Sequence, residues 1–485
     1  MLWIALYLPQ LPLQLAQRAC EIALPCVIAV GPSTRPLVFC ANPAARECGI
    51  KLQMPVAAAR ALASELVVLQ RDEAAEAQAI HNLGCWAYQF TPSIVLQAGE
   101  GLLLDVGSTL QLHGGVKNLL ARIRQGLKDL GYHAEPGVAP TPRAAWLLAK
   151  ARHAGLRVRM CKDLNLVPER LSALPLWLLD WPDEVLSTLQ TLGVRCIKQC
   201  LELPRDGFIR RFGAERLLHL DKMIGTAPDP RPCFTPPDHF ASRTEFGFDV
   251  VDALMLLFPL KRFLQELEGF LRGRGAGVQE WHLLLEHMNH GHSRITMRVV
   301  TPERSAERFL ALARERLAQT TLIGPVLALG IAADQLLPFE ESNRSFIPDP
   351  RTHAIGWGHL VDKLSTRLGT EKVYRVRALD DHRPEHAWQQ SDAAAKTTPP
   401  APRLAAPRPL WLLKTPRTLR MEDGKPLCQG RLRMLTGPER IESGWWDGTP
   451  ARRDYYVARN TNGETFWIYR EHQRNHAWYL HGIFA

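Results

Sequence analysis

The sequence predicts a multidomain α/β protein that ends in a β-rich extension. Three observations lead there. Strand and helix patterns alternate over residues 1–165, residues 240–333 read β-α-β-β-α-β, and beyond a Pro/Ala-rich stretch at 391–409 the composition turns basic and aromatic. At about 150 residues per domain, 485 residues leave room for three or four such units.

Residues 2–8 are apolar and stop at Pro9, which marks a buried strand. Residues 41–65 read mainly as helix, broken near Gly49 and Pro55. Strands follow at 93–97 and 102–106 around Gly99 and Gly101, then a helix at 116–130, a strand at 134–139 and a helix at 142–154. From 171 to 230 the pattern is short helices. Leu186, Leu189 and Leu192 lead into Gly193-Val194, and helix resumes near Ile197. A helix, Gly turn, helix sequence can aim backbone N–H groups at a phosphate, which marks Gly193 and Lys198, and it is equally a common way to join two helices. The β-α-β-β-α-β unit takes strands at 240–246, 278–287, 293–300 and 326–331, the middle pair split by Asn289-His290-Gly291. Its helices are expected at 250–271 and after Thr301-Pro302, with Thr as N-cap.

Lys and Arg number 59 against 49 Asp and Glu, so the net charge is +10 and favours a polyanionic partner such as DNA. Residues 403–485 hold 14 of the basic residues against 8 acidic ones, with five of thirteen Trp and four of eight Tyr. Aromatics among cations can stack on single strands. The strand-like spacing of Tyr455, Tyr456, Phe466, Trp467 and Ile468 argues instead for a small β domain with an aromatic core. No membrane partner is expected: the opening residues lack the basic start of a secretory signal, and the apolar run at 322–333 is too short to span. Ten irregularly spaced cysteines, Cys196 and Cys200 the closest pair, read as free thiols in a reducing cytoplasm. Glu286, His287, His290 and His292 straddle a predicted turn and are expected to be solvated rather than to hold a metal, and no cofactor site is evident.

Set in order, these segments resemble a known family. ARECGIKLQM at 45–54 is similar to the fingers signature of Y-family (UmuC/DinB-type) translesion DNA polymerases. GLLLDV at 101–106 sits where that family has its second catalytic strand, and PGVAPTPRAAWLLA at 136–149 resembles the strand and helix that follow. The resemblance implies a right-hand architecture. Palm and fingers would occupy 1–165 (fingers about 15–75), a helical thumb 166–235, and a little finger 236–345. A partly structured segment and linker at 346–402 and a protein-interaction domain at 403–485 would complete the chain.

Such polymerases hold two metal ions on carboxylates from the first strand and the second-strand turn. Here the first strand reads IALYLPQLP, with Leu6 and Tyr7 at the ligand positions, and the first acidic residue of the chain is Glu21. Aligning Leu104-Asp105 with the family's Leu-Asp puts Glu100 and Gly101 at the second-strand pair, so one carboxylate is kept and its neighbour lost. Of the triphosphate grip, Arg46 is matched and its tyrosine partner falls at Pro43. The palm lysine falls near Pro142, with Arg143 beside it. The resemblance is therefore to the catalytically degenerate, ImuB-type branch, and implies a protein without catalytic residues or metal. An active translesion polymerase using Glu100 is the alternative.

Directly after the last little-finger strand stands Asp334-Gln335-Leu336-Leu337-Pro338-Phe339. Gln-Leu-x-x-Phe resembles the peptide that bacterial proteins insert into the β sliding clamp: Leu336, Leu337 and Phe339 would fill an apolar groove and the Gln335 amide would fix register. The competing arrangement has the same apolar residues packed back on the sheet. The resemblance further implies sequence-nonspecific binding of primer-template DNA, with Arg243 on the first little-finger strand facing template phosphates. It also implies recruitment of an error-prone C-family DNA polymerase, a small RecA-like (ImuA-class) partner, and a cytoplasmic, nucleoid-associated location.

Overall fold

The computed structural model describes residues 1–19, 24–32, 34–288, 291–339, 350–369, 371–392, 407–472 and 476–484. The chain divides into two compact units, Met1–Arg367 and Leu368–Ala485. Asn289, His290, Cys20 and most of the linker expected at 391–409 lie outside the described residues.

The first sheet is antiparallel, in the order Ile94–Gln97, Gly101–Asp105, Trp3–Tyr7, Glu135–Ala139. Alternation along Trp3–Tyr7 feeds two cores, as a strand covered on both faces requires. Ile4 and Leu6 join Leu83, Leu119, Ile123 and Leu127 from helices Glu73–Ala87 and Val116–Asp129. Trp3 and Ala5 face helix Pro142–His153 and the short helices behind it, where Leu171, Leu189, Ile197 and Phe208 are buried. Residues 41–65 hold helices Pro43–Glu47 and Val56–Leu62. They lie beside a three-stranded sheet, Leu37–Ala41, Cys26–Val30 and Val67–Gln70, that the sequence pattern did not announce.

The second sheet runs Gly291–Glu303, Ala276–His287, Val326–Ala333, Phe240–Val250, all antiparallel. Helices Leu257–Arg274 and Ala306–Leu317 pack on it around Trp281, Phe309 and Phe270. Both helices start later than expected. Asp252 caps a 3₁₀ turn at Ala253–Leu256 ahead of the first. Thr301 and Pro302 lie in the strand Gly291–Glu303, at an irregularity between the paired residues Arg298 and Glu303, and Ser305 caps the second. Helix Leu257–Arg274 leans on Glu73–Ala87: side chains at Gly269 or Gly273 would strike Trp86 and Tyr88, and Asn82 donates to Ser242 (2.9 Å), which donates to buried Glu266 (3.0 Å). Helix Pro350–Leu368 buries Asp362, which accepts the Val300 N–H at 2.8 Å.

In the second unit a five-stranded antiparallel sheet runs Trp411–Thr418, Trp478–Ile483, Thr465–Glu471, Ala451–Arg459, Arg433–Ser443. Tyr455, Trp467 and Tyr469 are buried, Tyr455 stacking on Trp467 at 4.2 Å, so these aromatics build a core. A separate hairpin pairs Tyr374–Ala378 with Trp388–Asp392.

Candidate functional site

Leu6 and Tyr7 are neighbours on one strand, so they face opposite sides of the first sheet. Leu6 is sealed in the core. Tyr7 occupies the other face, 5.4 Å from the Trp146 ring and 5.7 Å from His153, with the Lys150 ammonium 5.9 Å from its centroid. Burial, then the negative charges of Glu100 and Asp180, push the Tyr7 phenol up to about 12, so it is a neutral hydroxyl at physiological pH. Lys150 forms an ion pair with Asp180 of the following helical segment. An aromatic and a bridging lysine thus occupy the ground beside the strand that a pair of carboxylates would need.

Glu100 is exposed at the turn, its carbonyl accepting the Leu8 N–H at 2.7 Å. Gly101 has φ +148°, and a Cβ there would collide with the Leu6 carbonyl oxygen. Only glycine fits this close approach of two strands. Asp105 accepts the N–H groups of Gly107 (3.0 Å) and Leu2 (3.4 Å), a structural use of its carboxylate. Among the described residues no group of three or more His, Cys, Asp or Glu side chains is placed to share a cation.

The two expected triphosphate contacts are not brought together. Arg46 is exposed on helix Pro43–Glu47 and acts on His153, whose pKa is lowered first by lost hydration and further by Arg46, against Glu135. Arg143 lies at the opposite end of helix Pro142–His153, about 15 Å away at 1.5 Å rise per residue. It is drawn to Asp229 (3.2 Å), which also holds Arg231 at 2.9 Å and Lys222 at 3.6 Å. Beside it a cavity of about 480 Å³ is lined by Gln97, Trp146, Asp180 and His219.

Of the two arrangements left open at Gly193, a phosphate cradle or a turn joining two helices, the backbone hydrogen bonds favour the second. Gly193 has φ +81° in the turn, but its N–H donates to Gln190 and that of Val194 to Leu189, both at 2.9 Å. The Arg195 and Cys196 N–H groups donate to the Gln199 side chain at 2.8 and 3.3 Å, Ile197 to Leu174 and Lys198 to Ser172 at 3.0 Å. Every N–H from 193 to 198 is spent within the protein. What this turn offers an anion is the exposed side chains of Arg195 and of Lys198, the latter 3.8 Å from Glu202. Arg243 lies on its expected strand, yet its guanidinium donates to Glu286 (2.7 and 2.6 Å) and Glu245 (2.8 Å), which neutralise it. His287, expected in solvent, is buried between the Gly324 carbonyl (2.9 Å) and the Ser293 hydroxyl (2.8 Å).

The 335–339 segment follows the Val326–Ala333 strand and turns back on the sheet. Leu337 and Pro338 pair with Gly277 and Ala276, Leu336 packs on the core, and the Phe339 N–H donates to Gly275 at 3.2 Å. Gln335 is exposed. A further feature had no sequence signal. The turn between Arg433–Ser443 and Ala451–Arg459 exposes Trp445 (80%) and Trp446 (59%). Buried Arg383 holds that turn through Asp447 (3.0 and 2.5 Å) and Thr449 (2.8 Å).

Residues 14–150 match the impB/mucB/samB family. Over 458 residues, 88% of this chain and 98% of the relative, the sequence is 26% identical to Protein ImuB of Caulobacter vibrioides (strain NA1000 / CB15N). It is 28% identical to DNA polymerase IV of Desulfatibacillum aliphaticivorans over 195 residues, 40% of this chain and 49% of that one. Among solved structures, DinB from Sulfolobus solfataricus aligns with 70% of this chain and 100% of its own at 16% identity and a TM-score of 0.39. No helix among the described residues is long and apolar enough to cross a membrane.

Proposed function

We propose that this chain, which matches the impB/mucB/samB family over residues 14–150 and is similar to Protein ImuB over most of its length, serves DNA-damage mutagenesis as a non-catalytic adaptor. The observation that carries the proposal is the first-sheet site: Leu6 is buried, Tyr7 is packed on Trp146, and Gly101 has no space for a side chain. Two-metal nucleotidyl transfer requires several anionic ligands on one face to offset two divalent charges. Of the four aligned ligand positions, Leu6, Tyr7, Glu100 and Gly101, only Glu100 carries a carboxylate. Each ~1.4 kcal/mol added to the barrier slows the step tenfold, so losing most of that ligand set removes the reaction.

What the body does in this reading is bring other proteins to DNA. Sequence-nonspecific contact falls to exposed cations such as Arg195 and Lys198, whose phosphate contacts steepen the salt dependence of binding. Residues 335–339 engage the β sliding clamp through Leu336, Leu337 and Phe339, with Gln335 setting register. The 403–485 region takes up an error-prone C-family polymerase and a RecA-like partner. Joining clamp, DNA and polymerase on one chain raises the polymerase's effective concentration at a stalled primer end without a new active site. Pull-down of clamp and polymerase by the full chain, by a Gln335→Ala/Phe339→Ala variant and by a chain ending at 402 tests this. Loss of the clamp alone in the first variant and of the polymerase alone in the second supports the adaptor. Unchanged capture by both contradicts it.

A further inference from the structure

We infer that the edge of the second sheet at residues 275–277, together with Arg304, is a receptor for this chain's own 335–339 peptide, so that the peptide must vacate it before entering a clamp. The inference rests on the clamp reading above. Leu337 and Pro338 lie in antiparallel register with Gly277 and Ala276, and the Phe339 N–H continues the pairing to Gly275 at 3.2 Å. The Phe339 ring fills the space that glycine leaves: a Cβ at Gly277 would stand 2.8 Å from its Cδ2. The Arg304 guanidinium lies 4.4 Å from the same ring's centroid, within cation–π range. Leu336 completes the seat against the sheet's core.

The apolar side chains that a clamp groove would take are therefore those seated at home, while the register-setting Gln335 amide stays in solvent. One ring cannot fill two pockets, so the two sites compete. Apparent clamp affinity falls by the fraction of time the peptide is seated in cis. The seat is shallow. The strand is two residues long, Pro338 has no N–H to give, and Leu336, Leu337 and Phe339 are only half-buried. A shallow seat keeps the exchange reversible, with exposed Gln335 placed for first contact. Departure uncovers the Gly277 notch and the face of Arg304, which makes clamp engagement a structural signal at the sheet edge.

Two measurements on the full-length chain test this. Hydrogen exchange at the Leu337 and Phe339 amides reads the seat without any clamp. Protection in the wild type that is lost in Gly277→Ala and reduced in Arg304→Ala is expected, and wild-type exchange at free-peptide rates overturns the inference. Binding to purified β clamp is expected to tighten about tenfold in both variants relative to wild type. Equal affinities with intact protection overturn the competition. If a synthetic 333–341 peptide itself fails to bind the clamp while the wild-type amides stay protected, the clamp reading fails and the competition falls with it. Arg304→Ala leaves the backbone at 277 untouched, so it still reads the seat if Gly277→Ala disturbs the nearby Glu303 main chain.

Discussion

Gly101 lies so close to the Leu6 carbonyl that no β-carbon fits between them. The relationship turns a missing functional group into a property of the backbone. At this position the strand spacing and the glycine dihedral exclude any side chain, a carboxylate included. Gly101→Asp is expected to cost at least about 3 kcal/mol of stability, whereas Tyr7→Asp, at a half-buried position, folds. Urea unfolding followed by circular dichroism checks both. A Gly101→Asp variant as stable as wild type would show that the strands can part.

The His219 ring accepts a hydrogen bond from Trp181 Nε1–H at 3.1 Å, which requires the neutral imidazole. Burial, then the charge of Arg143, holds its pKa at about 4. The unfolded state, with pKa near 6.5, binds the proton first, so stability is complete above about pH 6.5 and is lost as pH falls towards 4. His481, also lowered to about 4 by burial, carries the same sign in the second unit. Between pH 7.5 and 5 the His219 contribution falls by about 2 kcal/mol. A His219→Gln variant is expected to flatten the pH dependence of unfolding by that amount, and an unchanged slope contradicts the assignment.

Ser242 is the middle of a buried chain from Asn82 to Glu266 that ties the first sheet's helix to the second sheet. Ser242→Ala removes one donor from a buried carboxylate and one acceptor from a buried amide, a cost of about 1–3 kcal/mol. Faster limited proteolysis across 226–239 is the expected sign, since that connection spans the joint. Rates equal to wild type would mean the glycine-lined helix contact alone holds the two parts.

Trp445 and Trp446 are exposed on a turn fixed by Arg383, Asp447 and Thr449, so they offer a partner apolar area with little ordering cost. Replacing both with Ala is expected to leave thermal stability within a degree or two and to weaken capture of the C-family polymerase at least tenfold. Capture at wild-type strength would place the contact elsewhere on 403–485.

Much of the fold was legible because it rests on local rules. The strand at 93–97 forms as Ile94–Gln97, and the helix at 142–154 as Pro142–His153 with a capping threonine, Thr141. The strands Cys26–Val30 and Leu37–Ala41 were not, since five-residue runs such as CVIAV and LVFCA carry no period that separates a strand from a buried helix. That residues 1–20 hold no Asp or Glu is read directly from the sequence. Reach is not. Glu286 answers Arg243 from 43 residues away, and Leu174 and Ser172 take the N–H groups that a phosphate would have needed. Asp229 pairs with Arg143 from 86 positions on. The glycine notch that seats Phe339 is set by tertiary packing and leaves no mark on the motif itself.

Single-turnover incorporation of one nucleotide into a primer-template by the purified full-length chain, in Mg²⁺ and in Mn²⁺, tests the central claim most directly. The account predicts no extended product at any enzyme excess while DNA binding persists in the same tubes. Template-directed extension that disappears in a Glu100→Gln variant would contradict it.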